Sequence, residues 1–310
     1  MVREILLLLV MFWNVENFFD PFPPGDNSWT WKRFQKKRDD IARTVALVKE
    51  KYDLFPSLIG LAEVENYFVL KQLTQNTILA SLEYNIIHND SPDRRGIDVA
   101  LLYRKEEFRP LKAEFFQLDV PTRELLYTKG IFRGLDTLHI FVAHWPSKLG
   151  GKEAGRNRIM AAELLNCKSD SILAEDSRAK IVVMGDFNDG PGGEAVSCVR
   201  NLVNMSAERF VGKGNGCRGT YKYKGEWSII DHFMVSGAMG SGGMDGEGGL
   251  QWLFCYDDAY EIFADDFLLE EDRSYLGMKV RRSMIGPVYN GGVSDHLPVL
   301  LKVYGYPFDW

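Results

Sequence analysis

The sequence predicts a layered α/β protein, with sheets packed on one another and helices outside. Three observations predict it. Apolar runs of strand length alternate with helix-period segments through the first half of the 310 residues. Shorter strand signals follow in the second half. No internal repeat or linker divides the chain, so residues 1–310 are expected to form a single domain.

The elements follow in order. "ILLLLVMFWNV" is a buried first strand; "KKRDDIARTVALVKEKY" carries Ile41, Val45 and Val48 at helical spacing. "SLIGLAEVE" is a second buried strand, and one helix is expected around "VLKQLTQNTILASL", residues 69–82. "GIDVALLYR" is a third strand, with Asp98 a polar intrusion near its start. "TLHIFVAHWPS" and "KIVVMGDFN" are two more, separated by the good helix formers of "AGRNRIMAAELLNCKSDSILAED". "RGTYKYKGEWSIIDHFMVS" reads as a hairpin turning at Lys224-Gly225, and "HLPVLLKVYG" as the last strand. Residues 237–249, "GAMGSGGMDGEGG", are too glycine-rich for a packed element and read as a flexible surface loop.

The net charge is −6 and the pI about 5.5. Such a balance does not hold DNA tightly by charge alone, because neutralising phosphates needs clustered Lys and Arg. The local clusters, Lys32-Arg33, Lys36-Lys37-Arg38, Arg94-Arg95 and Arg281-Arg282, each taken singly read as solvated surface, unless the fold brings them to the rim of a site. Cys167, Cys198, Cys217 and Cys255 show no CxxC or zinc-like spacing and are expected as free thiols. The apolar run from Ile5 to Phe12 is short for a signal peptide and lacks a small-residue cleavage site. A cytoplasmic protein is therefore expected, unless a longer natural precursor carries an export signal. No segment approaches the ~18 apolar residues of a membrane span.

One design recurs at the strand ends. Asn14 and Glu16 end the first strand, Glu63 and Glu65 the second, His144 the strand before Pro146, and Asp186 and Asn188 the strand in "KIVVMGDFNDGP". Asp231-His232 follow "WSII", and Asp295-His296 precede the last strand. Residues two apart on an extended backbone point the same way, so each such pair can aim both side chains into one space. Glu65 alone reads equally as a solvated cap. His144, His232 and His296 sit at strand ends beside other polar candidates, whereas His88 and His139 do not. Oxygen-rich carboxylate and amide donors suit Mg²⁺ or Mn²⁺. A histidine oriented by an aspartate suits the base that activates water against a phosphoester.

The ordered set Asn14-Val15-Glu16-Asn17, "GLAEVEN" containing Glu63, "HWPSKLGG", "GDFNDGP", "EWSIIDH" and "SDHLPV" resembles the endonuclease/exonuclease/phosphatase superfamily, of deoxyribonuclease-like fold, over residues 13–299. The resemblance implies a four-layered α/β sandwich, two mixed β-sheets packed face to face with helices outside, and phosphoester hydrolysis with Mg²⁺ or Mn²⁺. It implies Glu63 as principal metal ligand, assisted by Asn14, Glu16 and Asp295. It implies His296 as base oriented by Asp231, Asp186 orienting water or leaving group, Asn188 steadying the phosphate, and His144 contacting it. Lys148 and Arg158, which follow His144, are candidate substrate-phosphate contacts. Ala62 stands where many relatives carry Gln, and Lys148 where "HWPS" relatives often carry Arg, replacing a planar fork with a point charge. The expected substrate is nucleic acid, with a small or lipid phosphoester as the alternative and an inactive phosphate-binding module as a remote one. A monomer without membrane insertion is expected.

Overall fold

The structure, a computed structural model, describes residues 6–22, 29–134, 136–206, 216–240 and 253–305. The first half alternates as the sequence predicts in β1 (Leu6–Phe18), α1 (Trp31–Tyr52), β2 (Leu58–Val64), α2 (Tyr67–Gln75) and β4 (Asp98–Arg104), with an unforeseen strand β3 (Tyr84–His88) before β4. Next come β5 (Phe108–Phe116), β6 (Leu125–Phe132), β7 (Asp136–His144), α3 (Gly151–Glu175) and β8 (Lys180–Asp186). After the single turn α4 (Glu194–Ser197) follow β9 (Leu202–Asn204), β10 (Tyr221–Tyr223), β11 (Glu226–Ser228) and β12 (Asp231–Ser236). Short strands β13 (Leu253–Phe254), β14 (Tyr260–Ile262), β15 (Leu269–Glu271), β16 (Met278–Val280), β17 (Met284–Ile285) and β18 (Val288–Tyr289) precede β19 (Val299–Gly305).

Two mixed sheets result. One runs β13-β19-β1-β2-β4-β3, with β14 also on β19; the other runs β5-β6-β7-β8-β12-β9. Each holds one parallel pair joined through a long helix: β1 and β2 through α1, β7 and β8 through α3. Parallel neighbours need such a crossover. Burial alternates along the second sheet. Ile140, Val142, Val182 and Met184 enter the core between the sheets, while Phe141, Ala143, Ile181 and Val183 pack with Ala161, Ala162 and Leu165 of α3. On the first sheet, Phe34, Ile41, Val45 and Val48 of α1 are buried at helical spacing. The layers are therefore helix, sheet, sheet, helix, the predicted α/β sandwich. The sheets meet closely at Gly60, where a Cβ would lie 2.5 Å from Met184 Sδ of the opposite sheet.

Two local expectations are corrected. The helix expected over 69–82 stops at Gln75, and Ile78–Leu82 forms a separate 3-10 turn in which the Thr77 hydroxyl accepts from the Leu79 N–H. The β-branched pair Thr77-Ile78 disfavours continuing the helix, and the Thr77 hydroxyl offers a new start. In the glycine-rich stretch, Gly237–Met239 is a 3-10 turn with Met239 buried; residues 241–249 lie outside the described residues. The hairpin turn is as predicted, with φ of 47° at Lys224 and 88° at Gly225. None of the four cysteines is in a disulfide. No helix among the described residues is long and apolar enough to cross a membrane.

Candidate active site

The carboxyl ends of both parallel pairs open at the same end of the sandwich, and antiparallel neighbours begin there. Register does the assembly: His144 lies opposite Asp186 across β7 and β8, and Asp231 lies opposite Asp186 across β8 and β12. Phe12 pairs with Val299, which brings the segment before β19 beside Asn14. His296 follows from there, its carbonyl accepting from Trp13 Nε1 at 2.9 Å and its N–H donating to Ser294 Oγ at 3.0 Å.

The centre is built around Asp186, only 1% exposed. Its Oδ2 accepts from Asn14 Nδ2 at 3.0 Å and lies 3.5 Å from His144 Nε2 and 3.8 Å from His296 Nε2; its Oδ1 accepts from the Asn188 N–H at 2.9 Å. Asp231 grips the other face of His296, with Nδ1 at 2.8 Å from Oδ2. That contact leaves Nε2 as the working nitrogen, and Tyr221 packs against the ring with centroids 5.0 Å apart. Burial pushes the Asp186 carboxyl up to about 7, against the pull of His296 and with help from Asp231. Burial opposes a charged His296, yet Asp231 and Asp186 together raise it well above the usual histidine range. Burial, then Arg123 and Arg95, hold His144 well below that range.

Around this centre the acids do not form one tight cage. Arg95, half-exposed, places its guanidinium 3.1 Å from Glu63 Oε2 and 2.6 Å from Asn17 Oδ1. Arg282 binds Glu16 through both Nε and Nη2 and also reaches Asp295 Oδ2 at 3.1 Å. Lys37 is fully buried beneath Glu16, donating to its carbonyl and to Ser283 Oγ at 2.9 Å; burial brings its amine down to about 8. Burial, then the Asp295 charge, pushes Glu16 up to about 7. This crowding of buried oxygens is what a hard divalent cation relieves, so the donor set fits Mg²⁺ or Mn²⁺. Among the described residues, Asp186, Asp231 and His296 also converge closely enough to hold an ion.

The structure departs from the sequence reading in instructive ways. The paired strand-end residues are not on continuous extended backbone: φ is 48° at Glu16, 51° at Asn17, 62° at Glu63 and 49° at Asn188. The β1–β2 and β2–β4 registers slip at these points, so bulges re-aim the side chains. Asn188 donates its side-chain amide to the Trp145 carbonyl at 3.0 Å. Glu65 is no solvated cap, since it accepts the Asp20 N–H, and it stays outside the centre. Arg158 spends its guanidinium on the Pro146 carbonyl at 3.1 Å, and Lys148 lies 3.5 Å from Asp189, more exposed than buried. The corrected readings are Arg95, Arg282 and Lys37, taken from sequence as solvated surface. Their side chains belong to the site because the loop 89–97, the 281–283 segment and α1 fold onto it. No periodicity in the sequence signals that.

Solved structures share this architecture. A family protein of Bacteroides thetaiotaomicron matches at 17% identity and TM-score 0.63, over 99% of this chain and 100% of that one. Truncated Caenorhabditis elegans TDP2 matches at 18% and 0.58, over 96% and 98%. The mannosyl-6-phosphatase of B. thetaiotaomicron matches at 16% and 0.59, over 96% and 99%. Comparison with curated protein sequences gives no match. The profile described as "Endonuclease/Exonuclease/phosphatase family" matches residues 9–304, which takes in every strand end of the site. With the fold and the whole chain accounted for, the protein belongs to the endonuclease/exonuclease/phosphatase family of phosphoester hydrolases.

Proposed function

We propose that this chain is a divalent-metal-dependent phosphodiester hydrolase acting on nucleic acid. The observation that carries the chemistry is the line Asp231–His296–Asp186, with Nδ1 of His296 held at 2.8 Å by one carboxylate and Nε2 facing the other. Glu63, Asn14, Glu16 and Asp295 would hold the cation, which supplies charge neutralisation at the phosphoryl oxygens. His296 Nε2 takes the proton of the attacking water, and Asp231 fixes its tautomer and balances the imidazolium formed. Asp186, tied to Asn14 and Asn188, orients that water or the leaving oxygen. His144 faces the same space from β7.

Support for a polynucleotide comes from the rim. Arg95, Arg282 and Lys148 expose cationic side chains around the opening. Exposed Phe22 and Tyr67 flank the segments that leave β1 and β2, and aromatic faces beside cations suit single-stranded bases. A further structural neighbour, Danio rerio TDP2, was solved in complex with a single-strand DNA product. The second reading, a phosphomonoesterase, is favoured by Arg95 and Arg282 both turning inward, where two guanidiniums suit a dianionic phosphate. The test is hydrolysis of single- and double-stranded DNA, RNA, a bis-aryl phosphodiester and an aryl phosphomonoester with Mg²⁺ or Mn²⁺ over a salt series. A polynucleotide substrate gives affinity that falls steeply with salt. Turnover of the monoester alone, with DNA and RNA uncut at low salt, replaces the nuclease reading with the phosphatase one.

A further inference from the structure

His88 closes β3 and Asp98 opens β4, and these strands are antiparallel neighbours with His88 opposite Ala100. The connection 89–97 therefore starts and ends at these two side chains, and the chemistry proposed above uses neither. The His88 side chain is 3% exposed, and its Nε2 has no hydrogen-bond partner. That nitrogen faces Asp98 Oδ2 at 3.6 Å, too far for a hydrogen bond. Asp98 is fixed from behind: its Oδ1 accepts from the Ser91 N–H at 2.9 Å and from the Ser91 hydroxyl, which leaves Oδ2 turned to the imidazole. Asp90, 80% exposed, brings Oδ1 to 3.9 Å from Nδ1, the other nitrogen of the ring. One donor atom from each of His88, Asp90 and Asp98 lies within 4.8 Å of the others.

We propose that His88, Asp90 and Asp98 form a second divalent-cation site, separate from the catalytic centre. A buried imidazole nitrogen without a bond is costly unless something occupies it. The gap to Asp98 is wider than a hydrogen bond and suits an ion bound by both. Asp98 already has its outer partner in Ser91, the arrangement that orients metal-binding carboxylates. One imidazole with two carboxylates selects Zn²⁺ or Mn²⁺ over Mg²⁺ or Ca²⁺, which prefer oxygen alone. Asp90 gives the ion its path to solvent.

The site also has a task. From its root the loop runs to Asp93, paired with Arg123 at 3.0 Å, and to Arg95, which reaches Glu63 and Asn17. An ion clamping both ends of the loop fixes the segment that carries Arg95 to the catalytic rim.

The experiment titrates chelator-stripped protein with Zn²⁺ by calorimetry and follows the thermal midpoint. Wild type binds two classes of ion. His88→Ala loses one class together with its share of the midpoint rise, and Glu63→Gln retains that class. Asp90→Asn, a change at an exposed side chain that does not endanger folding, weakens it at least tenfold and decides the matter should His88→Ala fail to fold. A single class in wild type that Glu63→Gln abolishes overturns the proposal. So does unchanged stoichiometry and affinity in His88→Ala or Asp90→Asn. Because binding is read directly, loss of this site is distinguishable from failure of the nuclease reading.

Discussion

In the proposed mechanism His296 and Asp231 act as one device, the carboxylate at 2.8 Å setting which nitrogen faces the substrate. His296→Ala is expected to cut turnover by about 10²–10⁴-fold, the range for loss of general acid–base help. Asp231→Ala should also be strongly impaired, and the double variant little worse than His296→Ala, because parts of a unit fail together. Multiplying losses in the double variant would separate the two roles. A second residue predicts acid sensitivity away from the site. Burial, with Lys129 assisting, brings His139 down to about 4, its Nδ1 2.8 Å from the Tyr127 hydroxyl. Unfolded, the ring takes a proton near pH 6.5; folded, it stays neutral to about 4. Its neutral burial therefore contributes nothing adverse above pH 6.5, and stability falls as pH drops from there to about 4. His139→Gln should flatten that part of the unfolding-midpoint profile. An unaltered profile would mean that other groups set the acid limit. Asn14, Asp186, Asp231 and His296 were legible in sequence because each abruptly ends or precedes an apolar run. Arg95, Arg282 and Lys37 were not, because their roles depend on where loops and a helix face land after folding.

At the scale of elements, the β10–β11 hairpin carries Tyr221 onto His296, and the Thr220 carbonyl accepts from the Leu297 N–H at 2.8 Å in an isolated bridge between them. Its turn needs Gly225 at φ 88°, where a Cβ would also meet Tyr275 Cβ at 2.9 Å. Gly225→Ala is expected to cost about 1–2 kcal/mol from the left-handed backbone alone. It should lower kcat as well, while Gly216→Ala, with open space around it at φ 76°, lowers the unfolding midpoint without touching kcat. An unimpaired kcat in Gly225→Ala would remove the hairpin from the site. The hairpin was readable because Lys-Gly stands between two short β-prone runs. β5 and β6 were not read: β5 is an edge strand with only Phe108 buried and Pro110 within it, so it lacks the clean alternation of a half-buried strand. Strands β13 to β18 span two or three residues each, too few for any period to register.

The whole molecule rests on the contact between the two sheets, and Gly60 against Met184 is its closest approach described above. Gly60→Val should destabilise the fold by about 1–3 kcal/mol through overpacking, read as a lower midpoint in thermal unfolding. Activity per folded molecule should also fall, since β2 carries Glu63 and β8 carries Asp186. A variant as stable as wild type would mean that the sheets part easily at this point. The layered class was legible from the alternation of periods, but the pairing was not. Which strands lie side by side depends on contacts such as Phe12 with Val299, far beyond the window of any local pattern.

That last pairing has a consequence for the birth of the molecule. β1 is made well before β19, yet they are hydrogen-bonded neighbours, and Trp13 and Asn14 reach His296 and Ser294 only once they have joined. On the ribosome, the apolar edge of β1 must wait for its partner until every element between them has been made, a span in which chaperones have reason to cover it. Until β19 is made, the candidate site lacks His296, so on the proposed mechanism the nascent chain carries no assembled base.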